Sequence, residues 1–252
     1  MIEIFVILAV VFALFILFYR QAVEQYDILQ IEAAQLSELP KLVSERLPVV
    51  IRSIGTPKLF TPDSLQQNKR LLTYPLGNQL TVQSYLAKPV STVKLPKKAA
   101  TVLANESGLR VWAEHTWFPK FMSIPLWEHI HSLSVEALIG EEGLRKTTAV
   151  STLIYPTSAA LDITVLTEHQ EQFLPRTWKG RFPETFTLQD SPLVGEIKYI
   201  TIKVRPGTLL CLPTHWICSI RASESDKDKP LLYGWIELHN PISWLANRLA
   251  AD

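Results

Sequence analysis

Two short stretches carry the residue types that could do chemistry. The first reads His129-x-His131, then four residues to Glu136 and six more to Gly143. On a strand, residues two apart share a face, so the imidazoles of His129 and His131 could bind a divalent transition metal such as iron together, with Glu136 a further candidate ligand nearby in sequence. The second, "VRPGTLLCLPTHWICSI" over residues 204–220, brings His215, Trp216 and Cys218 together around a turn between two apolar runs. A thiolate from Cys218 would complete a ligand set of His129, His131, Glu136 and Cys218. The competing reading of the first stretch is local. Leu126, Ile130, Leu133 and Ala137 recur at helical spacing, and on a helix residues two apart point about 200° around the axis from each other. That reading leaves the two histidines on the shoulders of an amphipathic helix.

The elements that would position these residues are mostly short strands. "VVIR", "QLTVQSYLA", "AVSTLIY", "LDITVLT", "EIKYITIKV", "TLLCL", "WICSI" and "LLYGWIEL" are rich in β-branched and aromatic residues and are separated by proline, glycine, serine or asparagine. Such a series predicts a sandwich or barrel. Pro206-Gly207 predicts a tight turn with glycine at the position of positive φ. Alternation then sends Trp216, Cys218 and Ile220 to one face, expected to be the interior. Asn240-Pro241 predicts a cap and first-turn proline for a closing helix.

"PVVIR" at residues 48–52, the strand-rich middle and "RPGTLLCLPTHWICSI" together resemble the JmjC-like cupins, the double-stranded β-helix family that includes iron and 2-oxoglutarate dependent oxygenases. The resemblance spans roughly residues 40–245. In that family the second segment delivers an iron-binding histidine, and here Cys218 stands on its position, with His215 where the family has glycine and Trp216 on an aromatic position. The segment "GLRKTTAVSTLIY" should hold the family's His-x-acid pair, and Lys146, Thr147, Thr148, Ala149 and Val150 do not form one. The resemblance therefore implies the fold without its usual iron site. The expectation is no catalytic, cofactor-binding or metal residue, with His215, Trp216 and Cys218 lining a remnant. The alternative is a metal-dependent oxygenase using the atypical ligands above.

Composition narrows the partners. The 252 residues are 47% hydrophobic, enough for one sizeable core. Lysine plus arginine, 25, balance aspartate plus glutamate, 24, so no electrostatic footprint for nucleic acid exists. No Gly-x-Ser-x-Gly elbow or phosphate-cradling glycine loop is present, which removes the usual hydrolase and nucleotide motifs. Trp112 and Trp117 read as core or rim aromatics.

Residues 4–19, "IFVILAVVFALFILFY", carry no charge and lie near the ~20 residues that cross a bilayer core. They predict an uncleaved, single-pass anchor, with the lipid bilayer as partner through this stretch and an unidentified protein partner for the domain. Arg20 follows the span and no lysine or arginine precedes it, which favours a cytoplasmic carboxy-terminal domain. The sequon Asn105-Glu106-Ser107 argues the other way. The division expected is an anchor at 1–20, a helical membrane-proximal stalk at 21–39, and a cupin/JmjC-like domain at 40–252, mainly β with flanking helices.

Overall fold

The computed structural model describes residues 2–20, 27–55, 58–77, 80–121, 131–243 and 245. Eight consecutive strands build its centre: β5 (Ser132–Ile139), β6 (Glu142–Lys146), β7 (Ser151–Pro156), β8 (Leu161–Leu166), β9 (Ile200–Val204), β10 (Leu209–Pro213), β11 (Ile217–Ala222) and β12 (Leu232–His239). Upstream lie β1 (Leu29–Glu32), β2 (Val49–Arg52) and a small hairpin of β3 (Pro75–Gly77) and β4 (Leu80–Thr81). One sheet has six strands in the order β1-β2-β10-β7-β12-β5, the other four in the order β6-β11-β8-β9. The chain winds back and forth between the two sheets. Every pairing in them is antiparallel except β1 with β2. The architecture is mainly β with flanking helices, consistent with a cupin-like fold.

Strand alternation sorts the apolar side chains into three layers. Between the sheets pack Leu138, Ile154, Ile163, Val165, Leu212, Trp216, Cys218, Ile220 and Trp235. The opposite face of the six-stranded sheet, through Val135, Leu153, Tyr155, Leu209 and Ile236, packs against the helices. Those helices include α2 (Leu39–Ser44), α3 (Pro62–Gln67), α4 (Lys69–Leu72), α5 (Val82–Ala87), α6 (Lys97–Glu106), α7 (Leu109–Thr116) and α8 (Phe118–Phe121). A smaller cluster of Leu144, Leu166, Trp178, Phe186 and Ile217 seals the outer face of the four-stranded sheet. Trp216, Cys218 and Ile220 thus share the interior face, as alternation predicts.

Three expectations are corrected. The stalk expected to be helical contains β1, which pairs in parallel with β2 from Leu29↔Val49 to Glu32↔Arg52 and buries Ile31. Residues 29–32 therefore belong to the folded domain, and residues 21–26 lie outside the described residues. "QLTVQSYLA" is strand only at β4, because Thr81 and Ser84 form a reciprocal capping box that starts α5. The helix expected across 126–137 is instead β5 from residue 132 onward, with Leu133 and Ala137 on the side facing the helix layer; Leu126 and Ile130 lie outside the described residues.

The turn at Pro206-Gly207 forms as expected. Gly207 has φ +88 and the Thr208 amide donates to the Arg205 carbonyl at 2.9 Å. At the carboxy terminus Ser243 N–H donates to Asn240 Oδ1 at 2.6 Å, capping the first residues of the closing helix.

The amino-terminal stretch is helix α1 (Ile2–Arg20), a rise of about 28 Å over 19 residues. Ile4, Phe5, Leu8, Leu14 and Leu17 on it are exposed. Among the described residues no helix is long and apolar enough to cross a membrane.

Candidate functional site

Cys218 is the centre from which the candidate site is built. It lies on β11 between Arg145 of β6 and Val165 of β8 in register, and its side chain is in the core between the sheets. Burial pushes its thiol up to about 12; Arg145 opposes that shift while Glu142 and Glu237 add to it. A thiol in such surroundings is a small apolar group and a poor nucleophile.

Thr147 fixes the turn before β11. Its hydroxyl donates to the Pro213 carbonyl at 2.7 Å, its amide to the Trp216 carbonyl at 2.7 Å, and its carbonyl accepts from His215 N–H at 2.9 Å. His215 takes φ +68 in this turn, the left-handed region that glycine occupies most readily. Its Nδ1 lies 3.7 Å from Glu168 Oε1. Glu168 also accepts from Lys146 Nζ at 2.7 Å, and Lys146 reaches Glu171 at 2.6 Å. Lys146 follows Leu144 on the outward face of β6. Of the three remnant residues, Trp216 and Cys218 are therefore brought together in the interior, and His215 joins an ionic cluster on the outer side.

The interior beside Cys218 holds an ion-pair network that the sequence analysis did not assemble. Arg145 reaches Glu136 Oε2 and Glu237 Oε1, each at 3.4 Å, and its guanidinium stacks 4.4 Å from the centre of the Trp235 ring. Trp235 Nε1–H donates to Glu237 Oε1 at 2.9 Å, and His239 Nε2 lies 3.4 Å from Glu237 Oε2. Lys97 of α6 closes the far side, 3.2 Å from Glu136 Oε1. The side chains of Glu136 and Glu237 are only 4% and 5% exposed, so both charges depend on these partners. Burial acts to raise the Glu237 carboxyl, yet hydrogen bonds from His239 and Trp235 and the Arg145 charge outweigh it and bring it to about 2. Burial likewise works against a charged Arg145, and Glu237 followed by Glu136 more than offsets it, so its guanidinium is held above the ordinary range.

The alternative ligand set is dispersed. Glu136 is committed to Arg145 and Lys97, and Cys218 lies across the strand pair from Arg145. His131 precedes β5, and His129 lies outside the described residues. Among the described residues no three histidine, cysteine, aspartate or glutamate side chains form a group that could hold a metal. The signal for the network was in the sequence as single charges inside apolar strands, Glu136 in "SLSVEALI" and Glu237 in "LYGWIELH". Nothing local shows that Arg145 is their shared partner. Surface grooves of about 300 and 340 Å³ lie around the β5–β6 turn, next to Glu141, Ala222 and Lys227, and none of the expected site residues lines them.

No protein-family model and no curated protein matches the chain. Among solved structures it is similar to the cupin domain of Drosophila melanogaster CENP-C, at 9% identity and a TM-score of 0.26, over 42% of this chain and 59% of that one. The chain thus spans less than two thirds of that domain.

Proposed function

We propose that the chain is a membrane-tethered, JmjC-like double-stranded β-helix domain that is not a catalyst. In this reading an internal ion pair stands where the family's iron centre would be, and the domain serves a binding or structural role at the membrane. The observation that carries the reading is the position of Arg145. Arg145 on β6 stands in register opposite Cys218, and Thr147 follows just past the end of that strand, two residues on, so this is the spacing a His-x-acid pair beside Cys218 would need. The two positions hold a guanidinium already shared by two carboxylates and a threonine hydroxyl already spent on the Pro213 carbonyl. Two imidazoles and a carboxylate with open positions are what non-haem iron requires, and these three positions supply a cation, a hydroxyl and a thiol.

The proposal of a tether rests on the uncharged residues 4–19 and the exposed described side chains of α1, and stands against the finding that no helix among the described residues is long and apolar enough to cross a membrane. Its bilayer contact would leave the domain on the cytoplasmic side, from the position of Arg20. A protein partner of the domain has no chemistry assigned to it, and the balanced charge disfavours nucleic acid.

The test is the metal content of the full-length protein, purified in detergent under anaerobic conditions and measured by mass spectrometry for iron, manganese, zinc and nickel. The reading expects far less than one metal per chain, unchanged in Cys218→Ala. Stoichiometric metal that is lost in Cys218→Ala or His131→Ala would favour an oxygenase with the atypical ligands instead.

A further inference from the structure

Residues 186–199 lie against the outer face of the four-stranded sheet and turn their apolar side chains two ways. Phe186, Val194 and Ile197 pack onto the cluster that seals the sheet. Leu188, Leu193 and Tyr199 point outward and are 75%, 46% and 41% exposed. A single exposed leucine is ordinary on a protein surface, but three large apolar side chains held out by one short segment ask for a partner. The segment is not loose at its tip. Asp190 accepts from the Thr187 amide and hydroxyl, each at 2.9 Å, and from Arg181 Nη1 at 2.7 Å, which fixes the turn that carries Leu188.

Where this segment enters β9 follows from the strand order. The sheets are linked through Gly140-Glu141 between β5 and β6, so β1 and β9 are the last strands at the opposite edge. β9 runs into the turn at 205–208, which lies beside the carboxy-terminal end of β2, where the Ile54 amide donates to the Gly207 carbonyl at 2.9 Å. The first residue of β9 is therefore at the other end of that edge. The first residue of β1 is there too, because Leu29 pairs with Val49 and Val49 with Cys211, away from the turn. Ile28 and Ile200 accordingly pack against the same interior cluster. Tyr199 thus stands at the corner from which the chain leaves for α1, and the stretch from Ile28 back to Arg20 spans at most about 30 Å when fully extended.

We propose that residues 188–199 form a second membrane contact, in which Leu188, Leu193 and Tyr199 enter the interfacial layer of the bilayer that holds α1. The proposal rests on the tethered reading given above. A tyrosine suits headgroup depth, with its ring among the upper acyl chains and its hydroxyl in water, and the exposed Lys198 beside it can keep its ammonium among the headgroups. Two leucines and a tyrosine anchor a free domain weakly. On a tethered domain their insertion is intramolecular, so a weak contact is enough to set how the domain lies on the membrane.

Dye-labelled thiols test this in the full-length protein, reconstituted into phosphatidylcholine vesicles with and without lipid that carries a nitroxide on the upper acyl chain. Three exposed positions are labelled singly: Leu8→Cys in α1, Leu193→Cys, and Val111→Cys on α7 in the helix layer. Wild type, whose two cysteines are buried, sets the background. The nitroxide should quench the dye at positions 8 and 193 and leave it unchanged at 111. Quenching at 8 with none at 193, or equal quenching at 193 and 111, overturns the contact and leaves the tether standing. No quenching at 8 removes the tether, and the contact that rests on it falls as well.

Discussion

Glu237 shows how much the interior depends on a single charge. Its carboxyl titrates near 2 in the folded protein, below the unfolded value of ~4.3. The stabilisation it brings is therefore complete above the unfolded value and is lost as pH falls toward 2. The shift corresponds to about 3 kcal/mol. Glu237→Gln should cost roughly that amount at pH 7, since it leaves the Arg145 cation half-compensated in the interior, and should flatten the fall in stability between pH 4 and 2. Urea unfolding of both proteins across that window checks the sign and the size. The cysteines give an independent residue-scale test. Burial pushes Cys211 up to about 12, with the neighbouring Ser151 opposing the shift, and Cys218 to about 12 as well. Neither thiol should react with a maleimide at pH 8 until the protein is unfolded, and Cys218→Ala should cost about 1–2 kcal/mol as a small core truncation. Fast labelling of the native protein would show that Cys218 is ionised and not apolar filler.

At the scale of elements, β6 is held by a contact with no side chain in it. A Cβ on Gly143 would fall 2.2 Å from both the carbonyl carbon and the oxygen of Gly180, where Leu144 and the 180–181 backbone exchange hydrogen bonds. Gly143→Ala should therefore push the 168–197 segment off the four-stranded sheet at a cost of about 3 kcal/mol. Loss of protection at the Leu144 amide in hydrogen exchange is the local readout. The same strand shows what sequence could and could not reveal. The inward face of β11 was legible because Trp216, Cys218 and Ile220 alternate between a proline-bounded turn and a loop, which leaves a single register. The β5 strand was not, because Leu126, Ile130, Leu133 and Ala137 fit a helix as well as Val135, Ala137 and Ile139 fit a strand, and short apolar runs do not decide between periods. The stalk failed for a related reason. Residues 29–32 become strand only because β2 offers them a parallel edge, a long-range event that local propensity does not encode. Arg145 stayed hidden because its importance comes from two carboxylates on strands that the chain reaches only after 9 residues in one direction and 92 in the other.

The molecule as a whole joins an apolar amino-terminal helix to a two-sheet domain with an ion-pair network in its interior. The tether is tested by alkaline carbonate extraction of membranes from cells expressing the full chain: the protein should stay with the pellet, and complete release would remove the bilayer from the proposal. The central claim is that the guanidinium of Arg145, shared by Glu136 and Glu237 beside Cys218, leaves no place for a catalytic metal. Anaerobic calorimetric titration of the full-length protein with ferrous iron measures it most directly. No saturable binding is expected, in wild type and in Cys218→Ala alike. One-to-one binding to the wild type that disappears in Cys218→Ala would contradict it.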